Sequence, residues 1–290
     1  MIVVTGATGR LGGLVVERLL ERVPPEQLGV SVRDPARAGD LAERGVRVRR
    51  GDYDDPDALA TAVAGADRLL LVSAPRLGAE LLAAHRAAID AARRAGVGRV
   101  LYTSHIGSDP LSPFPPMVGH AATEAMLRDS GLAFTVLRNG FYTATAEAQA
   151  RAARDAGELR LPADAPVSWT THDDLAAGIA ALLLDDDLTE PVVGLTAGEA
   201  VDLAGLAELV ATATGRPVHR AVVPDEEYRA GLVAAGTPAR AAAMVTGLWA
   251  ASRQRRFGVV DPTLAALLGR PTATAREVVE RALRTPAAGV

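Results

Sequence analysis

The stretch Ile2-Val3-Val4-Thr5-Gly6-Ala7-Thr8-Gly9-Arg10-Leu11-Gly12 constrains the fold more than any other part of the chain. A β-branched run meets three glycines spaced three apart, and apolar residues at helical spacing follow from Leu11. That order requires a strand to end, turn sharply and open a helix whose free N–H groups face an anion. Gly6 permits the turn, Gly9 lets backbone approach the anion, and Gly12 lets the helix pack on the strand. A dinucleotide pyrophosphate is the expected occupant; a tight turn without ligand is the alternative.

The rest of the first half repeats the strand–helix theme. Short apolar runs at residues 28–32, 46–49, 68–72, 99–103 and 133–137 alternate with helical patterns at 11–22, 57–64, 78–95 and 123–130. Each crossover is long enough for one helix, which predicts a Rossmann-type α/β fold with a doubly wound parallel sheet. Residues 1–140 are expected to form this nucleotide-binding domain. Residues 141–290 are expected to supply mainly a smaller C-terminal α/β cap lobe over the cofactor edge, with some segments returning to the sheet. Within that half, helices are predicted at 143–156, 173–184 and 203–214 and from 225 onward. Strands are predicted at 167–170, 192–195 and 218–223.

Composition removes whole classes of chemistry. The chain has no cysteine, and its 31 basic residues are all arginine. Disulfides, thiolate ligands and any lysine-dependent step are therefore excluded. The Tyr-x-x-x-Lys dyad of conventional short-chain dehydrogenases cannot be present. His85, His105, His120, His172 and His219 lack paired metal-ligand spacing, so no metal is expected. A net charge of −4 gives no footprint for nucleic acid. No apolar run nears the ~20 residues that span a bilayer. The start has no basic leader region and reads as a first strand, so a cytoplasmic location is expected.

Polar residues at strand ends mark the candidate site. Arg33 closes the second strand, where a guanidinium suits the 2′-phosphate of NADP and an acid would suit the 2′-hydroxyl of NAD. A solvated charge would look the same, and Asp34 beside it is placed to accept from a ribose hydroxyl. Arg37 joins Arg33 if the loop folds back. Asp52 reads either as an acceptor for the adenine amino group or as a turn former. Ser73, Ala74 and Pro75 follow the fourth strand, Ser104 the fifth, and Asn139 closes the sixth. Gly140 is expected to let a ligand approach.

These residues resemble the NmrA-like atypical short-chain dehydrogenases. The likeness lies in residues 5–12, the Val32-Arg33-Asp34-Pro35 corner, Ala95-Gly96-Val97, Tyr102-Thr103-Ser104 and His120 to Glu124. Its most specific part is Leu137-Arg138-Asn139-Gly140-Phe141-Tyr142. Asp173-Asp174-Leu175-Ala176-Ala177 and Leu267-Leu268-Gly269-Arg270-Pro271-Thr272 extend it nearly full length. Within the family the chain most resembles the flavin-free bacterial NAD(P)H:quinone oxidoreductases, with triphenylmethane reductases beside them. The resemblance implies that the glycine loop, Arg33, Ser73, Ala74, Pro75 and Leu137, Arg138, Asn139, Gly140, Phe141 and Tyr142 contact the dinucleotide. It also implies that Asn139 lies near nicotinamide and quinone, and that no flavin is needed. One departure stands out: Ala125 follows Thr123-Glu124 where the family often places lysine.

The expected function is a reductase passing hydride from NADPH, with NADH also admissible, to a quinone or similar conjugated carbonyl. An aromatic polyketide quinone is one candidate. Such acceptors need positioning and an oxyanion donor more than a strong acid. Asn139 and Tyr142 are the candidate donors and His120 a candidate proton source, each with a structural hydrogen bond as the alternative. Phe141, Trp169 and Trp249 are candidates for a planar-ring pocket, with core packing as the alternative. A non-catalytic NAD(P)-binding redox sensor is the second expectation, and a homodimer is left open.

Overall fold

The computed structural model describes residues 1–284. Its first half runs β1 (Ile2–Thr5), α1 (Arg10–Leu20), β2 (Leu28–Val32), α2 (Gly39–Glu43), β3 (Arg47–Arg50), α3 (Pro56–Val63), β4 (Arg68–Leu71), α4 (Gly78–Arg94), β5 (Arg99–His105), α5 (Pro115–Arg128) and β6 (Phe134–Asn139). There follow β7 (Phe141–Tyr142), α6 (Thr143–Ala156), β8 (Glu158–Leu161), β9 (Trp169–Thr170), α7 (His172–Leu184) and β10 (Val192–Leu195). The chain then continues through α8 (Leu203–Thr214), β11 (His219–Val222), α9 (Asp225–Ala234), α10 (Ala239–Arg253), α11 (Thr263–Leu268) and α12 (Ala275–Arg284).

Two compact units result. The first comprises Met1–Pro110, Pro116–Asn139 and His172–Leu195. Its sheet has the order β10-β6-β5-β4-β1-β2-β3, with every pairing parallel. Val3, Val4, Leu28, Val30, Leu69, Leu70, Leu71, Val100 and Leu101 are buried, as strands covered on both faces require. Leu11, Val15, Val16 and Leu19 form the buried stripe of α1, which packs with α7. Another core cluster joins Leu59, Val63, Ile89, Tyr102 and Leu127. Strand order reverses between β1 and β4, and that reversal opens a crevice at the carboxyl ends of the strands.

The boundaries differ from expectation where local signals compete. The α5 helix starts at Pro115, well before residue 123, because Pro115 and Pro116 occupy first-turn positions where no N–H is needed. The β5 strand runs through to His105, so Ser104 lies inside the strand and does not follow it.

The second unit contains Leu111–Pro115, Gly140–Thr171 and the chain from Thr196 onward. The β8 strand, not expected from the sequence, pairs in parallel with β11, and β7 pairs with β9 so that Phe141 faces Trp169 in register. The helices α6, α8 and α12 pack on one another. At Gly140 a Cβ would lie 2.1 Å from Thr170 Oγ1 and 2.9 Å from the Ser168 carbonyl oxygen, so packing alone calls for glycine there. Among the described residues no helix is long and apolar enough to cross a membrane.

Candidate active site

The crevice is a cleft of about 650 Å³ over the carboxyl ends of β1 to β4. Gly6 turns with φ +62° and its carbonyl accepts the Gly9 N–H at 2.9 Å. At Gly12 an added Cβ would sit 2.3 Å from the Gly6 carbonyl oxygen, so only glycine lets loop and helix touch. At Gly9 the added carbon would meet only that oxygen, at 3.2 Å. Gly9 caps α1 with no side-chain hydrogen bond, and the first helical turn carries no acid. The helix N-terminus is thus left for an anion. Thr8, Gly9 and Arg10 are exposed there, while Ala7 and Leu11 are buried on the packing side.

The same cleft continues past Arg33 and Arg37. Neither guanidinium makes a hydrogen bond or ion pair among the described residues, so both remain available to a phosphate. A third guanidinium, Arg76, is held by Asp54 through two contacts of 2.7 Å. Asp34 Oδ1 accepts the Ala36 N–H at 3.1 Å and caps a short 3₁₀ turn. Asp52 lines the cleft and also forms a turn by accepting from the Asp54 N–H at 3.2 Å. Sequence reasoning missed Ser31 and Tyr53. The Ser31 hydroxyl is buried in the cleft wall without a partner among the described residues, and a Cβ on Gly51 would fall 2.0 Å from it. Tyr53 donates to the Val72 carbonyl oxygen at 3.1 Å.

Ser73, Ala74 and Pro75 line the cleft on a braced loop. The Ser73 N–H donates to Thr103 Oγ1 at 2.9 Å, and the Ala74 N–H donates to His85 Nε2 at 3.0 Å. Because Nε2 accepts, neutral His85 carries its proton on Nδ1 and donates it to Thr123 Oγ1, 2.8 Å away. Thr123 in turn donates to the Gly119 carbonyl oxygen at 2.9 Å. Burial, with a smaller repulsion from His120, brings the His85 pKa down to about 3.

Beyond β4, the sheet edge carries Asn139, with His105 opposite it in register. Asn139 is 1% exposed, yet among the described residues neither its amide nitrogen nor its oxygen has a hydrogen-bond partner. Buried amides are ordinarily paired, so an amide left without a partner stands out. His120 stacks on His105 at 6.3 Å, and its Nδ1 lies 2.8 Å from the Tyr102 hydroxyl. Burial lowers the His105 pKa to about 3; burial, partly offset by Glu124, lowers that of His120 to about 4.

Two expected cofactor ligands are engaged elsewhere. Ser104 donates to Glu124 Oε1 at 2.6 Å, and Arg138 grips Glu124 at 3.1 and 2.6 Å. Their side chains therefore brace α5 against β5 and β6. Burial works against the Glu124 charge, but the Arg138 and Ser104 hydrogen bonds outweigh it and hold the carboxyl below its usual range. Leu137 is fully buried in the sheet core.

In the second unit, Phe141 contacts Phe114, Trp169 and Phe257. Trp169 is 5% exposed and donates its indole N–H to the Val201 carbonyl oxygen at 3.0 Å; Trp249 is 2% exposed on α10. Both indoles are covered by the chain itself, as core side chains are. Phe141 is half-buried and Tyr142 exposed. Phe114 and Phe257 escaped notice because their partners lie far off in sequence.

A glycine-turned β1–α1 junction, a seven-stranded parallel sheet and a cleft at its reversal point define a dinucleotide-binding Rossmann protein. The chain belongs to the NAD(P)H-binding family, whose profile matches residues 6–186. It is 35% identical to quinone oxidoreductase 2 of Escherichia coli over 96% of this chain and 97% of that protein. The structure of that enzyme with NADPH superposes with a TM-score of 0.91, covering 98% of this chain and 100% of the other. Citrobacter triphenylmethane reductase complexed with NADP(H) is 32% identical with a TM-score of 0.89, covering 97% and 100%. An NmrA-like family domain-containing oxidoreductase of Aspergillus flavus is 32% identical over 97% of this chain and 94% of its own length. The NmrA-like resemblance therefore holds at full length.

Proposed function

We propose that this protein is an NADPH-dependent reductase that transfers hydride to a quinone or similar conjugated carbonyl. The observation that carries the proposal is Asn139: a buried amide with no side-chain partner among the described residues, at the carboxyl end of β6 in the sheet whose carboxyl edge also bears the cleft. The relatives that act on quinones and triphenylmethane dyes support an extended conjugated acceptor.

The chain's groups fit NADPH. The uncapped α1 terminus and the glycine loop would hold the pyrophosphate, Arg33 with Arg37 the 2′-phosphate, and Ser73 to Pro75 the nicotinamide side. When bound, the dihydronicotinamide supplies hydride. The protein's part is to fix the acceptor and stabilise the charge that develops on its oxygen. The Asn139 amide N–H is the donor placed for that, and a preorganised donor in a dry site stabilises developing charge strongly. Because the leaving charge is phenolate-like, solvent can complete the protonation.

The test is NADPH oxidation with a panel of small quinones, anaerobically and without added flavin. Turnover with at least one quinone is expected. Tight NADPH binding with no turnover across the panel would overturn the proposal and identify a redox sensor, in keeping with Ala125 at the position of the family lysine.

A further inference from the structure

Past the end of β4 the chain leaves the sheet, and side chains take over the hydrogen bonds that neighbouring strands would have made. The Val72 N–H donates to Thr5 Oγ1 of β1 at 2.9 Å, and the Ser73 N–H to Thr103 Oγ1 of β5 at 2.9 Å. The Ala74 N–H donates to His85 Nε2 at 3.0 Å. Pro75 has no N–H, and the Arg76 N–H closes on the Ala74 carbonyl oxygen at 2.8 Å. Every backbone donor from Val72 to Arg76 is therefore spent within the protein, and these five residues all line the cleft.

The three side-chain acceptors differ in origin. Both threonines stand on strands of the sheet, whereas His85 reaches Ala74 from α4. The other buried residues of that helix are all alanine, leucine or isoleucine, so His85 is its one buried polar side chain. The direction of its bond is fixed, because a backbone N–H only donates: Nε2 accepts, and the neutral ring carries its proton on Nδ1 toward Thr123 Oγ1. The ring lies edge-on to Tyr102 at 5.4 Å and to Tyr53, itself a cleft residue, at 6.5 Å. Arg76, gripped by Asp54, anchors the far end of the same segment.

We infer that His85 is a positioning residue for the coenzyme: from behind the cleft wall it takes the Ala74 N–H and holds Ser73, Ala74 and Pro75 in the shape that receives the dinucleotide. This rests on the assignment of that wall to the coenzyme, made above, and not on quinone turnover. Without the imidazole acceptor, the Ala74 N–H is either left buried and unpaired or must turn elsewhere and carry the wall with it. A wall ordered in advance spares binding the cost of ordering it, so loss of the acceptor should weaken NADPH binding.

Amides of two lengths test the inference. Glutamine at position 85 places an oxygen near the site of Nε2 and keeps an acceptor for Ala74; asparagine reaches only as far as Nδ1 and keeps the Thr123 contact alone. Titration followed by nicotinamide fluorescence should show NADPH affinity within about twofold of wild type for His85→Gln and a loss on the order of tenfold for His85→Asn, as expected for one hydrogen bond. A merely structural histidine would lower Tm in the variants and leave the affinities of their folded fractions equal, and that result would overturn the inference. In the wild type, NMR should detect a ¹⁵N–¹⁵N coupling across the hydrogen bond between the Ala74 amide and His85 Nε2. Its absence would also overturn the inference, even if neither variant folds. The Ala74 amide resonance should shift on addition of NADPH; a resonance indifferent to NADPH would instead strike the assignment of this wall to the coenzyme.

Discussion

Asn139→Ala should separate activity from stability in opposite directions. The side chain is 1% exposed with both amide heteroatoms unpaired, and leaving a buried polar group unpaired costs about 1–3 kcal/mol. Alanine removes that cost but also loses the packing of a few atoms, roughly 1 kcal/mol. The net effect on the cofactor-free protein runs from about zero to about 2 kcal/mol of stabilisation. At roughly 2–4 °C per kcal/mol, Tm should stay level or rise by several degrees. Turnover should fall about 10²–10³-fold, because a donor aimed at a developing oxyanion acts mainly in the transition state. The loss should appear in kcat and kcat/KM alike, with NADPH affinity little changed. Both quantities are measured on one preparation, by thermal unfolding and by quinone-dependent NADPH oxidation. A lowered Tm with unchanged specific activity would show that Asn139 merely organises the turn after β6, and the mechanistic assignment would fall.

Three further outcomes are expected. Arg33→Ala should erase most of a preference for NADPH over NADH, about 1–3 kcal/mol in the ratio of dissociation constants; equal wild-type affinity for both would remove the Arg33 assignment. Gly9→Val should abolish NADPH binding while retaining the fold, since a Cβ there meets only one atom, whereas Gly12→Ala should destabilise the fold through a 2.3 Å clash; circular dichroism and cofactor titration separate the two, and normal binding by Gly9→Val would contradict the phosphate cradle. Finally, the depressed pKa values of His85, His105 and His120, about 3, 3 and 4, lie below the ordinary 6.5. Below about pH 6.5 the unfolded chain therefore takes up protons that the folded one refuses, and stability falls by about 1.4 kcal/mol per pH unit for fully buried His85 alone. Above that pH these groups add no slope, so urea unfolding that gives the same stability at about pH 5 and about pH 7 would contradict the buried neutral network.

What the sequence displayed and what it hid divide along physical lines. The helices Thr143–Ala156 and Leu203–Thr214 end where expected because Gly157 and Gly215 follow them with φ of +68° and +65°, a local stop signal. The phosphate loop is likewise local, its three glycines lying within seven residues. The α5 start was obscured because a Pro-Pro pair reads as a break until its place in the first turn is seen. Strand β8 shows its alternation in Glu158-Leu159-Arg160-Leu161, too short to stand out. The Ser104–Glu124–Arg138 bracket and the His85–Thr123 and Tyr102–His120 pairs join side chains from separate elements. Nothing in their spacing announces them, and only the sheet register brings them together.

The guanidiniums of the cofactor cleft have a kinetic consequence. The chain as a whole carries a net charge of −4, which repels a polyanionic dinucleotide at long range. Yet the cleft is walled by Arg33 and Arg37, and by Arg76, whose charge Asp54 offsets, with Asp52 as the one carboxylate among its lining residues. A concave, low-dielectric surface of one sign focuses the field outward through its mouth and raises the rate of productive encounter. Attraction is thus confined to the one place where capture is useful. Salt screens such fields over about 8–10 Å, so the association rate of the doubly more charged phosphate-bearing coenzyme should fall more steeply with ionic strength than that of NADH. In this view discrimination between the two coenzymes begins during approach, before any contact with Arg33 is made.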